Sequence, residues 1–339
     1  MFLRDLVALH SLNNSILNLN IIFLFVASLV MGFSLNSKTL INFIVVFIIL
    51  QFTFSILQYF NVAFAIKFPE FINSLISSSN HGLSIENHPF FERARGTFLY
   101  EHIFAGVFAT IYYYYIVFNF FSEKKKKLNF ILIILIGIIT IFTTFSRSAM
   151  VSGIVMLTFL LFHVFFKSSH KNKLKTIIGL LFIVLLIMFF VTKINYSESA
   201  NFYRLTAFGQ QNSTSDADRV GTYMIAFKGF LSNPVFGTGY LTPKNSGISL
   251  GIHSVPLKMF SSYGLIGGLI YTIMILRLFM FCYKNFRYKE GKAFSIALFT
   301  MLFDSLVHTS GLFFNGIEVT FLFGLFFGLV LKNKDSLNY

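Results

Sequence analysis

Charge is what this sequence has least of. Only 12% of its 339 residues are Asp, Glu, Lys or Arg, about half the share found in soluble domains. That deficit excludes a surface bathed in water on all sides. Tryptophan is absent, although phenylalanine occurs 48 times. The single cysteine, Cys282, excludes an internal disulfide and any multi-cysteine metal or iron–sulfur site. The eight histidines never fall at the i, i+4 spacing that places two ligands on one helical face, so no zinc site is expected. No G-x-x-x-x-G-K-[ST] phosphate loop occurs. The N-terminal residues lack the basic start, short apolar core and small-residue cleavage site of a signal peptide. Neither a metal nor a cofactor is expected.

What is present in quantity is apolar sequence, 55% of the chain. It comes in runs near the roughly 20 residues that cross one hydrocarbon core as a helix. Spans are expected at 16–34, 39–60, 102–121, 128–145, 149–166, 176–192, 259–281, 293–310 and 313–331. Backbone groups in lipid need partners within their own segment, so each must be helical. The second span carries Gln51 and Gln58, and the eighth carries Asp304. The fold class is therefore all-α: a polytopic transmembrane bundle of about nine spans, eight to ten at the limits, forming one membrane domain over residues 1–339.

The net charge of +14 belongs to topology rather than to nucleic acid. The basic residues sit in short blocks between apolar spans, the pattern of cytoplasmic loops. Lys124–Lys127, Lys167–Lys175, Lys284–Lys292, Lys332 and Lys334 fall on one side with Lys38 and Arg277. That side is expected to be cytoplasmic, with the C-terminus inside. Two long loops, 61–101 and 193–258, then lie outside, as does the tip of the fourth–fifth hairpin, Ser146-Arg147-Ser148. Within the larger loop an amphipathic helix of about 13 residues is expected from Arg219, capped by Asp216 or Asp218. Val220, Tyr223, Met224, Phe227, Phe230 and Leu231 share its apolar face, and Asn233-Pro234 ends it.

Four features fall on the outer side. They are Arg93-Ala94-Arg95-Gly96-Thr97-Phe98; the Ser146-Arg147-Ser148 hairpin; Arg219 with Asn233-Pro234-Val235-Phe236-Gly237-Thr238-Gly239; and His253 ahead of Gly264-Leu265-Ile266-Gly267. Arg147, between two apolar helices, must pair, face a cavity or snorkel to the headgroups. Arg93 and Arg95 suit headgroups as well as a ligand, Arg219 suits a pairing with its neighbouring aspartates, and His253 suits an ordinary loop. Taken together, several guanidinium groups and one imidazole share a side. Guanidinium clusters fit phosphate by flat bidentate hydrogen bonding. Nucleotides are scarce outside, so the phosphate is expected on a lipid. For the same reason Asp216-Ala217-Asp218 is not read as a sugar-nucleotide metal motif. Asp304, an acid within a span, is a functional candidate or a hydrogen-bonding partner for a neighbouring helix.

The ordered set of four features resembles the bacterial O-antigen ligase and O-antigen polymerase superfamily over roughly residues 90–270. Two positions depart from the family pattern: Glu101-His102 stands where Pro-Asn is common, and Ser254 follows His253 in place of Asn. The resemblance implies an inverting, metal-independent glycosyltransferase in the bacterial cytoplasmic membrane. Its donor would be a glycan on undecaprenyl pyrophosphate, and other polysaccharide assembly proteins would be its partners. It further implies that Arg147 and Arg219 grip the pyrophosphate, helped by Arg95 and Arg93. His253 would contact the acceptor hydroxyl; Asp304 and Ser146, from their positions in the chain rather than from the resemblance, are candidate supporting residues. Polymerase and ligase share that donor and differ in acceptor. A transporter or flippase of an anionic lipid or solute is the reading from another class, although no inverted repeat is visible.

Overall fold

The computed structural model describes residues 12–60, 62–76, 94–98, 101–122, 127–144, 146–167, 214–238, 254–307 and 317–335. Every regular element among them is a helix: α1 (Leu12–Ser34), α2 (Ser37–Tyr59), α3 (Ala63–Ile76), α4 (Glu101–Phe120), α5 (Lys127–Thr144), α6 (Arg147–Lys167), α7 (Thr214–Ser232), α8 (Val255–Asn285), α9 (Lys289–Val307) and α10 (Ile317–Asp335). Eight of them coincide with expected spans. The expected span 176–192 lies outside the described residues. Ser37–Tyr59, Ile103–Phe120 and Val255–Asn285 are long and apolar enough to cross a membrane, and Ile21–Ser34, Asn129–Thr144 and Ser148–His163 are shorter apolar helices. The protein is a helical integral membrane protein.

Helix α4 forms the centre. Its aromatic run Tyr112–Tyr115 is buried, and two of its hydroxyls bond to backbone carbonyls of neighbouring helices. Tyr112 donates to Ile134 O at 2.7 Å and Tyr113 to Ala149 O at 2.6 Å, tying α4 to α5 and α6. Tyr114 stacks flat on Phe326 of α10, ring centroids 4.0 Å apart. Helix α10 also pairs closely with α1. Gly324 and Gly328 face Ser28, Leu29 and Phe33 so tightly that a Cβ on either would collide with α1. Small residues of this kind let helix backbones approach in a membrane, where dispersion contacts replace the hydrophobic drive.

Basic residues gather at one end of this bundle. Lys332 Nζ donates to Leu35 O at 2.9 Å, closing the C-terminus of α1. Lys289 lies over the Phe118 ring at 4.9 Å and Lys292 over Phe121 at 4.0 Å. The adjacent Glu290 accepts from Ser37 Oγ at 3.5 Å. The α1–α2 link, the end of α4, the α8–α9 turn and the end of α10 therefore share this lysine end, as the charge blocks predict.

The structure differs from the sequence expectations in two helices. Helix α3 lies in the stretch 61–101 read as loop. It forms because Phe64 and Phe68 pack on Phe54 of α2, ring centroids 6.3 and 4.6 Å apart. Helix α7 begins by Thr214, not near Arg219. Asp216 and Asp218 are thus inside its first turns, where the helix dipole favours carboxylates, rather than at a cap. Its stripe of Val220, Met224, Phe227 and Leu231 is exposed, while Thr222 and Ala226 are the buried residues. The apolar face thus points away from the bundle, as suits a helix immersed in the membrane surface.

Candidate functional site

The end of the bundle opposite the lysines is built from buried polar groups. The α5–α6 hairpin comes first. Helix α5 finishes at Thr144 and α6 starts at Arg147, so the connection is too short for a loop. Ser146 caps the new helix: its Oγ accepts from Ala149 N at 3.4 Å and its carbonyl from Met150 N at 3.1 Å. Its hydroxyl also meets that of Ser148 at 3.0 Å. Ser148 in turn donates to Asp304 Oδ1 at 2.9 Å. Ser146, Ser148 and Asp304 are all under 9% exposed. A chain of side-chain hydrogen bonds thus runs from α9 to the hairpin on both sides of Arg147. Asp304 reaches this position over Gly106 of α4, where a Cβ would stand 2.6 Å from Oδ2.

The Ala94–Phe98 turn docks beside the hairpin, with Ala94 N donating to Thr143 O at 3.0 Å. Two glutamines of α2 hold it. Gln58 Oε1 accepts from Arg95 N at 2.9 Å and Gly96 N at 3.0 Å. Its Nε2 donates to Gly96 O at 2.7 Å and Ala65 O at 2.9 Å. Gln51 forms a reciprocal pair with Thr97, accepting from its N at 3.0 Å and donating to its Oγ1 at 2.7 Å. Gly96 adopts φ 56°, which explains a glycine inside the motif. Each such group left unsatisfied in a buried site would cost about 1–3 kcal/mol. The two glutamines that interrupt the second span are therefore structural necessities of the turn.

The third group joins α7 to α8 by exchanging backbone hydrogen bonds. Helix α8 breaks at Gly264, φ 63° and ψ −162°, a conformation essentially confined to glycine. In an unbroken helix Leu265 N would donate to Ser261 O and Ile266 N to Ser262 O. Instead Leu265 N donates to Pro234 O at 2.7 Å and Ile266 N to Val235 O at 3.4 Å. Ser261 O accepts from Thr238 N at 3.0 Å. The Asn233–Thr238 turn thus takes over the partners that the break releases. Irregular backbone at membrane depth is tolerated only where protein or water supplies such partners. Gly237, φ 72°, approaches so closely that a Cβ there would fall against the Ser262–Gly264 backbone.

The expected site residues that the structure describes are distributed over these three groups. Arg95 is in the glutamine-held turn, and its Nη2 donates to Ile66 O of α3 at 2.9 Å. Arg147 opens α6 between the two serines, and Arg219 lies in the second turn of α7. Ser146 and Asp304 are brought together through Ser148. Arg93 and His253 lie outside the described residues, although Ser254, directly after His253, is the N-cap of α8. One further residue escaped the sequence reading. Lys258, in the first turns of α8, is only 6% exposed, and Ser254, Ser261 and Ser262 on the same helical face are buried with it. Their i, i+4, i+7, i+8 spacing was visible in the chain, but nothing there marked this face as buried.

A helical membrane bundle with hydrogen-bonded polar groups clustered at one end defines the class of protein. Within it, residues 131–272 match the family model described as O-antigen ligase. The matched stretch runs from α5 into α8. It contains three of the four features on which the resemblance rests, the Ser-Arg-Ser hairpin, Arg219 with the Asn-Pro turn, and His253 with Gly264–Gly267; the Arg93–Phe98 feature lies before it. The match supports the O-antigen ligase and polymerase superfamily, and with it an O-antigen ligase or polymerase type of membrane function. No curated protein matches the chain.

Proposed function

We propose that the protein is a glycosyltransferase of the O-antigen or capsule polymerase type, acting on the outer face of the bacterial cytoplasmic membrane with its C-terminus inside. The donor is an oligosaccharide or polysaccharide on undecaprenyl pyrophosphate. The observation that carries this reading is the gathering of the Arg95 turn, the Ser146–Ser148 hairpin and Asp304 at the lysine-poor end, beside a family match covering the remaining motifs.

The chemistry follows from the groups available. The anomeric carbon is already activated by its bond to pyrophosphate, so no nucleotide is consumed. The acceptor hydroxyl oxygen attacks that carbon as the carbon–oxygen bond to pyrophosphate breaks. The bond's electron pair leaves on the pyrophosphate, and direct displacement inverts the configuration. Arg147 and Arg219, aided by Arg95 and Arg93, neutralise the leaving group without a metal ion. His253 takes the acceptor proton, since an imidazole titrates near neutrality. Asp304 and Ser146 hold the hairpin that presents Arg147.

A ligase would use the same donor end and a different terminal acceptor, such as lipid A core. The broken helix α8 favours a second class, a transporter or flippase, because discontinuous helices commonly line transport sites. One assay separates the readings: purified protein in lipid nanodiscs receives a lipid-pyrophosphate glycan, alone or with a second acceptor. Chain growth on the lipid-linked unit supports the polymerase, and transfer to the second acceptor supports the ligase. Transport in proteoliposomes without a new glycosidic bond would replace both by the transporter. Arg147→Ala, Arg219→Ala and His253→Ala are each expected to collapse long glycan; wild-type length in all three at normal protein levels would sink the proposal.

A further inference from the structure

The stretch between α2 and the Arg95 turn is more than a spacer. Helix α3 contains Pro69 in its interior, and that residue is buried. A proline has no N–H, so the carbonyl four residues earlier, Ala65 O, loses its helical donor. That carbonyl oxygen is available where the Arg95 turn arrives. Gln58 Nε2 donates to Ala65 O at 2.9 Å, and Arg95 Nη2 donates to the next carbonyl, Ile66 O, at 2.9 Å. The same Gln58 side chain holds the main chain of Arg95 and Gly96 through three more bonds, 2.7–3.0 Å long. Gln58 therefore joins α3 and the turn. The arginine is fixed at both ends, its backbone by Gln58 and its guanidinium by the opened turn of α3.

We propose that Gln58, with the turn of α3 opened by Pro69, is the positioning device that aims Arg95 at the pyrophosphate of the ligand. Gln58 and Pro69 are positioning residues and act only through Arg95. The inference rests on the reading of this end as a pyrophosphate site.

The test uses the full chain in nanodiscs, with amide hydrogen exchange followed at residues 94–98 and inorganic pyrophosphate as the probe. Gln58→Ala is expected to speed exchange across the turn by about tenfold, and Pro69→Ala, which restores a competing N–H for Ala65 O, by about threefold. Pyrophosphate is expected to slow exchange in the wild type. It should need about ten times the concentration in Gln58→Ala and in Arg95→Ala, with no further loss in the double variant. Gln58→Glu keeps the two acceptor contacts and loses the two donor contacts, so it should fall between. Unchanged exchange in Gln58→Ala, no effect of pyrophosphate on the wild type, or a loss in the double variant equal to the product of the singles would each overturn the proposal. Glycan transfer assayed on the same samples is a separate readout: its absence in the wild type would count against the enzymatic reading and leave the positioning result standing.

Discussion

The two ends of the bundle handle positive charge in opposite ways. At the lysine end the cations are appended to finished structure. Lys289 and Lys292 lie on aromatic faces, and Lys332 reaches the last carbonyls of α1. Such contacts are worth about 0.5–1 kcal/mol each at exposed sites. At the other end the protein is built around the motif residues. Gln51 and Gln58 spend every amide atom on the Arg95 turn. Asp304 reaches across from α9 to a serine beside Arg147, and the turn that ends α7 exchanges backbone bonds with α8. Topology needs only positive charge on the correct side. A ligand needs that charge at a fixed place, and the difference in construction separates those two requirements.

The largest break in this comparison is expected from the arginines. Arg147→Ala or Arg219→Ala should lower the glycan transfer rate by about 100- to 1,000-fold, the usual effect of deleting one group that stabilises a leaving charge. Steady-state rates in nanodiscs check this, with thermal stability measured alongside to exclude unfolding.

Gly264→Ala comes next. It forces a Cβ into φ 63° and against the Val235 carbonyl, which should destabilise the fold by about 2 kcal/mol or more. Gly221→Ala is the matched control: nothing lies within 4 Å of its Cβ position, and alanine should be neutral or stabilising by up to about 1 kcal/mol. Melting temperatures in detergent read both.

Asp304→Asn should cost about tenfold in rate, since an amide still accepts from Ser148 but carries no charge. Asp304→Ala, which leaves the serine pair without its acceptor, should cost more. The smallest effect belongs to the opposite end. Lys289→Ala with Lys292→Ala should change the rate by less than about twofold, because these partly buried cation–aromatic contacts lie at the end away from the motif residues.

Much of the bundle was legible because membrane helices are written as apolar runs. The grouping of basic loops was legible too: Lys332 and Lys289 lie at one end of the bundle, as their loops predict. Helix α3 was not. Lys67, Pro69, Glu70 and Asn73 give it the composition of a loop, and only packing on Phe54 makes it a helix. The candidate site was legible as a set of motifs but not as an assembly. Gln51 and Gln58 look like flaws in a span until the Thr97 and Gly96 they serve, 46 and 38 residues away, are seen beside them. Asp304 and Ser148 are 156 residues apart, and no local pattern joins them. The Asn-Pro-x-x-Gly-x-Gly turn and the Gly264 motif were each visible, but their exchange of hydrogen bonds across α8 was not.

The most direct test of the account is a single-turnover reaction with a lipid-pyrophosphate glycan labelled in both sugar and phosphate. The account predicts one released polyprenyl pyrophosphate for each new glycosidic bond in the wild type, and both products formed about 100- to 1,000-fold more slowly in Arg147→Ala or Arg219→Ala. Bond formation at the wild-type rate in both variants, or passage of the labelled lipid across the bilayer without any new bond, would contradict it.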